Sequence, residues 1–229
     1  MTGGPVQFIE SSIVGLRSAV ITLTCRTSPL RFVLFPMVHV GEPSFYAEVT
    51  ARVRECAIIV AEGAPAGTAP VQERMSRLRL DRLVDQNNAL DLGSLGIPVF
   101  WEAVPPPPRT HAERIRNTAE DAFGAVALRL LGRYGDPLSL PSRDQAESYD
   151  ERWVEGRTAR WFRDRVVDRR DDALNHRLSA LYQEHRERPI AVAVVYGAAH
   201  MPAVVEHLRA EFDYSVKGAE WLMVAAAPS

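Results

Sequence analysis

Only two cysteines, Cys25 and Cys56, stand in a chain of 229 residues. That is too few for a disulfide framework or a cysteine-built zinc cluster. Cys25 falls in an alternating strand pattern and Cys56 at the end of an apolar helix face, so both are expected as reduced core thiols. Lys217 is the one lysine among 27 basic residues, the rest being arginine, which we read as codon bias before function. An excess of either charge sign is missing too. The net charge is -2, which argues against a whole-chain basic field for nucleic acid or an anionic membrane. No uninterrupted apolar run approaches the roughly 18 residues that span a bilayer. The start, Met1-Thr2-Gly3-Gly4-Pro5-Val6, lacks the basic and apolar regions of a secretory signal. The expectation is a soluble cytoplasmic protein with no nucleic-acid partner and no membrane partner.

What is present is an ordinary globular composition, 46% hydrophobic and 24% charged, in a length that suits one large domain with a substantial core. No shift of composition divides the chain, so residues 1–229 are expected as a single domain.

Residues 8–25 and 31–38 read as two β runs separated by the polar turn Arg26-Thr27-Ser28-Pro29. Phe32-Val33-Leu34-Phe35 is apolar on both faces, as a central strand should be. Pro43-Ser44 opens a helix with Phe45, Val49, Val53 and Cys56 on one stripe. Ala57-Ile58-Ile59-Val60-Ala61 follows, a second buried run, ending in Glu62-Gly63. Strand, helix, strand at this length is a βαβ unit, whose crossover makes its strands parallel and brings His39 and Glu62 to one sheet edge. Residues 71–92 have a helical pattern, and Gly96 to Glu102 reads as a third strand that again ends in a carboxylate. Pro105 to Pro108 form a polyproline spacer, and Thr110-His111-Ala112-Glu113 caps a helix to about Arg133. A charge-dense helical region runs from Ser142 to Arg188, and Pro189 breaks it before an apolar strand. Tyr214-Ser215-Val216 and Trp221-Leu222-Met223-Val224 read as closing strands.

Two distant segments repeat one element. Phe32 to Pro43 and Ala191 to Pro202 are each an apolar β run, a turn, a histidine and a helix start, delivering His39 and His200. In open α/β sheets, ligands and chemistry collect outside the carboxyl ends of the strands. Two imidazoles with Glu62 suit a divalent transition metal such as manganese, cobalt or zinc, with one coordination position left for water. The same trio without metal offers a histidine base oriented by a glutamate. The plain alternative is a histidine hydrogen-bonded at a sheet end. Glu62 directly after an apolar run is costly to bury unpaired, and Glu102 repeats the pattern. Glu42 reads as an exposed helix-start residue favoured by the dipole. His111, His176, His185 and His207 read as surface or supporting residues. Of the doublet Arg169-Arg170, Arg170 is expected to face the crevice, where its planar fork can clamp a carboxylate or oxyanion, and Arg169 to face solvent.

These motifs carry a resemblance. Met37-Val38-His39-Val40-Gly41-Glu42-Pro43-Ser44-Phe45-Tyr46, Val60-Ala61-Glu62-Gly63 and Val194-Val195-Tyr196-Gly197-Ala198-Ala199-His200 resemble the TraB/PrgY/GumN family. That family includes the Tiki proteases and is related in fold to erythromycin esterase and the haem-binding ChaN proteins. Arg170-Asp171 looks like its arginine element, Leu83 to Asp91 like its middle helix, and Trp221 also fits. Two positions depart: Pro36 stands where the family has glycine, implying a different turn, and Trp101-Glu102-Ala103 stands where many relatives carry His-Ala-Asp. The resemblance implies an α/β fold, a central mixed β-sheet flanked by helices and built from two similar halves. It implies a metal-dependent hydrolase of peptide or ester bonds. His39 and His200 would then hold the metal, Glu62 would serve as third ligand or base, Arg170 would stabilise the oxyanion, and Glu102 would be the one candidate left in its region. The partner is then a small-molecule or peptide substrate. The rival readings are a protein on the same scaffold that binds a small ligand, haem or metal without chemistry, which the two departures favour, and a metal-independent acid/base enzyme acting on a small metabolite.

Overall fold

The β-branched and aromatic runs of this sequence form a mixed sheet in a computed structural model that describes residues 6–63, 83–101 and 168–227. The chain opens with an antiparallel hairpin, β1 (Ile9–Ser12) and β2 (Gly15–Thr24). The expected single run at 8–25 is therefore two strands. Its turn escapes notice because Ile13 and Val14 are apolar yet exposed, and only Gly15, at φ 130°, marks the reversal.

Strand β3 (Arg31–Met37) follows, then a two-residue strand β4 (Val40–Gly41), helix α1 (Pro43–Val53) and strand β5 (Ile58–Ala61). Pro43 sits in the first turn of α1, where its missing N–H costs nothing, and Phe45, Tyr46, Val49 and Val53 are the buried stripe. After residue 82 come β6 (Val84–Asp85), a single turn α2 (Gln86–Ala89), a 3-10 turn at Leu92–Leu95 and β7 (Val99–Trp101). The helical pattern expected through residue 92 breaks here. Asp85 accepts the Asn87 N–H at 2.9 Å and starts a new turn instead of continuing one. The remainder of that expected helix, the proline spacer, the helix from 110 and residues 142–167 lie outside the described residues, as does Glu102.

Helix α3 (Asp168–His185), strand β8 (Ala191–Gly197), a 3-10 turn at Ala198–His200, helix α4 (Met201–Phe212) and strand β9 (Ser215–Ala226) complete the described chain. The two closing strands expected are one. The polar stretch Lys217-Gly218-Ala219-Glu220 is exposed and still pairs with β2 through two register shifts.

Strand order is β1-β2-β3-β8-β5-β7, with β9 also on β2. β8 pairs in parallel with β3 on one side and β5 on the other, and β7 is parallel to β5. The βαβ unit is thus parallel as expected, but β8 lies between its two strands. Pro36, expected in a turn, lies inside β3 opposite Tyr196. The β2–β3 pairing stops at Leu34, and the Ser18 hydroxyl donates to the Pro36 carbonyl at 2.6 Å beyond it.

Successive strand residues feed two cores. Phe32, Leu34, Val60, Val192 and Val194 pack with Leu174 and Leu178 of α3 and Val204 and Leu208 of α4. Phe35, Met37, Ile59, Ala193 and Val195 pack with Phe45, Val49 and Val53 of α1 on the other face. Burial on both faces explains the unbroken apolar runs of β3, β5 and β8. Each buried Val, Leu, Ile, Phe or Met among them contributes about 1.5–3 kcal/mol of transfer free energy. The result is an α/β fold with a mixed central sheet flanked by helices. Among the described residues no helix is long and apolar enough to cross a membrane.

Candidate functional site

The carboxyl ends of β3, β8 and β5 lie side by side, so the residues just past them share one sheet edge. Glu62 is the first residue beyond β5. Its backbone N–H still donates to the Val195 carbonyl at 3.0 Å, which fixes where its side chain starts. The alternation that sends Ile58 and Val60 to the α3/α4 core sends the Glu62 carboxylate the same way. There both of its oxygens are engaged. Oε2 accepts the Gly197 N–H at 2.6 Å, and Oε1 accepts from Nη2 of Arg170 at 2.6 Å.

Arg170 and Asp171 open the described side chains of α3, and each holds a different partner. While Arg170 binds Glu62, Oδ1 of Asp171 lies 2.6 Å from Nδ1 of His200. His200 ends the turn after β8 and leads directly into α4, whose second residue is Pro202. Its ring is buried, 5% exposed, and meets Tyr196 edge-on with centroids 5.9 Å apart. A carboxylate only accepts, so Nδ1 of His200 is the donor in this contact. Nε2 lies 3.8 Å from Glu62 Oε1, beyond hydrogen-bond reach but close in charge.

Burial alone would raise the Glu62 carboxyl. The Arg170 guanidinium, the Gly197 N–H and the nearby His200 and His39 outweigh it and hold the group below its usual carboxylate range. Glu62 is therefore a charged, weakly basic anchor.

His39 behaves differently from His200. It lies past β3 on the way to α1, which packs on the opposite face of the sheet from α3 and α4, and its side chain is exposed. Its backbone is pinned: its carbonyl accepts the Gln86 N–H at 2.8 Å, and the preceding Val38 carbonyl accepts the Tyr46 hydroxyl at 2.8 Å. Among the described residues, His39 is tied to Glu62 electrostatically. The expected position of Arg170, turned into the site, matches its contact with Glu62, while the Arg169 side chain lies outside the described residues. Glu42 caps nothing with its side chain. Its Oε1 instead accepts the Ala226 N–H at 3.0 Å, tying the end of β9 to the start of α1.

Of the other histidines, His176 is exposed, and His207 bridges α4 to α3 through Ser179 at 2.8 Å. His185 is buried beside Arg188 and Glu184, which makes it the supporting rather than the surface kind. Cys56 is buried and Cys25 half-buried, and both are free thiols.

Compared with known proteins, the chain matches no family model, no curated protein and no solved structure. Its site must be judged on its own geometry.

A metal makes particular demands of that geometry. Among the described residues no group of three or more His, Cys, Asp or Glu side chains is arranged to hold a metal ion, His39, Glu62 and His200 included. The Glu62 oxygens are already taken by two donors, and the His39 side chain is exposed. The donor set does not fit a resident metal as arranged. Two contributors were not named as site residues from the sequence: Asp171 entered only as half of the Arg170-Asp171 element, and Gly197 only within the strand–turn–histidine motif that ends at His200.

Proposed function

We propose that the chain is a hydrolase of peptide or ester bonds, with its chemistry at the carboxyl ends of β3, β8 and β5. The observation that carries this reading is the buried His200 ring, oriented by Asp171 at 2.6 Å with Nε2 turned toward the Arg170–Glu62 pair. In this mechanism His200 Nε2 takes a proton from a water molecule as that water attacks the carbonyl carbon. The Asp171 carboxylate holds the imidazolium that forms. The carbonyl electrons move to oxygen, and the guanidinium of Arg170 stabilises the resulting oxyanion. Collapse of the tetrahedral species breaks the bond to the leaving group, which receives the proton back from His200. Glu62 keeps Arg170 in place; with both oxygens engaged and its carboxyl held low, it makes a poor base.

This departs from the metal-dependent form in which His39, His200 and Glu62 are ligands and manganese, cobalt or zinc supplies the activated water. No step is routed through a metal here, since the donors are not assembled. The resemblance to the TraB/PrgY/GumN family supports the site's location and a pair of similar halves. β3 and β8 run in register, Met37 beside Gly197, and each leads through a histidine to a helix with proline in its first turn.

The deciding experiment assays the purified full-length chain on panels of activated esters and short chromogenic peptides, with and without chelator and added manganese, cobalt or zinc. The expected result is turnover that survives chelation and falls about 10²–10⁴-fold in His200→Ala. Loss of turnover on chelation, restored by one metal, would replace this mechanism with the metal-dependent one. Stoichiometric binding of haem or another small ligand without turnover would make the chain a binding protein.

A further inference from the structure

The Glu62 carboxylate lies so close to Gly197 that a side chain there would crowd it. Gly197 has φ -51° and ψ 142°, a conformation open to every L residue. Nothing in the backbone therefore demands glycine here. The space does. A Cβ at this position would stand 3.1 Å from Glu62 Oε2, 3.7 Å from His200 Cδ2 and 3.9 Å from Glu62 Cδ. The first distance is too short for comfortable contact, and the carboxylate has no easy way to retreat. Oε2 is drawn onto the Gly197 N–H at 2.6 Å and Oε1 onto Arg170 at 2.6 Å, so any shift lengthens one of two charge-assisted bonds.

We infer that Gly197 is a positioning residue: by leaving out a side chain, it lets the Glu62 carboxylate lodge against the end of β8, and through Glu62 it sets where Arg170 stands beside His200. The parallel pairing of Ala61 with Val195 explains why β8 must supply this clearance, since it places the end of β5 directly against the turn that leads to His200. A Cβ would meet the His200 ring at 3.7 Å in ordinary contact, so the crowding falls on the Glu62 carboxylate. The inference takes Glu62 and Arg170 to be site groups, as proposed above, but its test does not depend on turnover.

Two measurements on the full-length chain provide that test. Carboxyl ¹³C NMR follows the titration of Glu62 in wild type and in Gly197→Ala, and urea unfolding follows Gly197→Ala in both the wild-type and the Glu62→Ala backgrounds. The expected result is an upward move of the Glu62 titration toward the ordinary carboxylate range in Gly197→Ala. The alanine is also expected to lower the unfolding midpoint in the wild-type background and leave it unchanged where Glu62 is absent. If Gly197→Ala alone does not fold, recovery of folding in Gly197→Ala with Glu62→Ala supports the same conclusion. An unmoved Glu62 titration in a folded Gly197→Ala chain would overturn it, as would an equal loss of stability or of folding in both backgrounds. A titration and cycle as expected, in a wild type that hydrolyses no ester or peptide, would leave the role of Gly197 standing and remove the hydrolase reading alone.

Discussion

Asp171 and His200, from the start of α3 and the end of the β8 turn, meet at 2.6 Å between Oδ1 and Nδ1. Asp171→Asn keeps the size of the group and gives up its charge. The amide either donates to Nδ1 and forces the ring proton onto Nε2, or stabilises the imidazolium less. Turnover is expected to fall by about 10²–10⁴-fold while the fold survives, because an orienting carboxylate acts through the tautomer it selects. Steady-state kinetics beside circular dichroism would check this, and undiminished kcat would remove Asp171 from the mechanism.

His39 and His200 are expected to part company under mutation. The exposed His39 should tolerate alanine with turnover reduced several-fold at most, whereas His200→Ala should lose nearly all of it. Equal, complete losses in the two variants would favour a shared metal.

The Arg170–Glu62 pair is asymmetric, with side chains 33% and 12% exposed respectively. Arg170→Ala strands a largely buried carboxylate and should cost about 1–3 kcal/mol. Glu62→Gln leaves Arg170 with more access to water and should cost less, about 1 kcal/mol, while still impairing turnover because the guanidinium loses its anchor. Urea unfolding of both variants measures the difference, and the reverse order would contradict the assignment of Glu62 as the more costly orphan.

Acid stability follows from the same group. Because the folded-state Glu62 carboxyl lies below its ordinary value, the stability it contributes is fully present above the unfolded carboxylate value of about 4.3 and is lost as pH falls through the folded one. Glu62→Gln should therefore flatten the acid limb of the stability profile below about pH 5 without changing its shape near neutrality. Urea midpoints taken across pH 3–7 test this, and parallel acid limbs for wild type and mutant would contradict it.

Ser18 is buried, and its hydroxyl donates to the Pro36 carbonyl where the β2–β3 ladder has stopped. Ser18→Ala should destabilise by about 1–2 kcal/mol, the cost of a buried acceptor left without its donor. Thermal unfolding reads this directly, and an unchanged melting temperature would mean that water replaces the hydroxyl.

The strands were legible wherever burial was two-sided. β3, β5 and β8 read from their apolar runs, and α1 from its stripe and leading proline. Glu62 and His200 stood out because a polar group right after such a run must be paired or used. Their relation to His39 was not legible. Sequence puts both histidines at strand ends, but which face each following helix covers depends on the crossover, and α1 and α4 cover opposite faces. The partnership of Asp171 with His200 spans 29 positions between a helix and a turn, and no local pattern encodes it. The hairpin at Ile13 and the length of β9 were hidden for the opposite reason. Apolar residues occupy an exposed turn, and polar residues occupy an exposed, still-paired strand.

The insertion of β8 between β3 and β5 bears on how the chain reaches this state. Phe32 pairs with Val192, about 160 positions later in the chain, and Ile58 pairs with the same Val192 from the other side. Until the C-terminal third has been synthesised, β3 and β5 have a gap where their common neighbour belongs, and each leaves a hydrophobic edge unpaired. Such edges recruit other strands, including those of other copies. Loop closure over this distance also slows the search. An interrupted nascent chain is thus exposed to aggregation through the same two strands that later line up beside His200, and rapid release from the ribosome or a chaperone that covers the gap should raise the yield of folded protein.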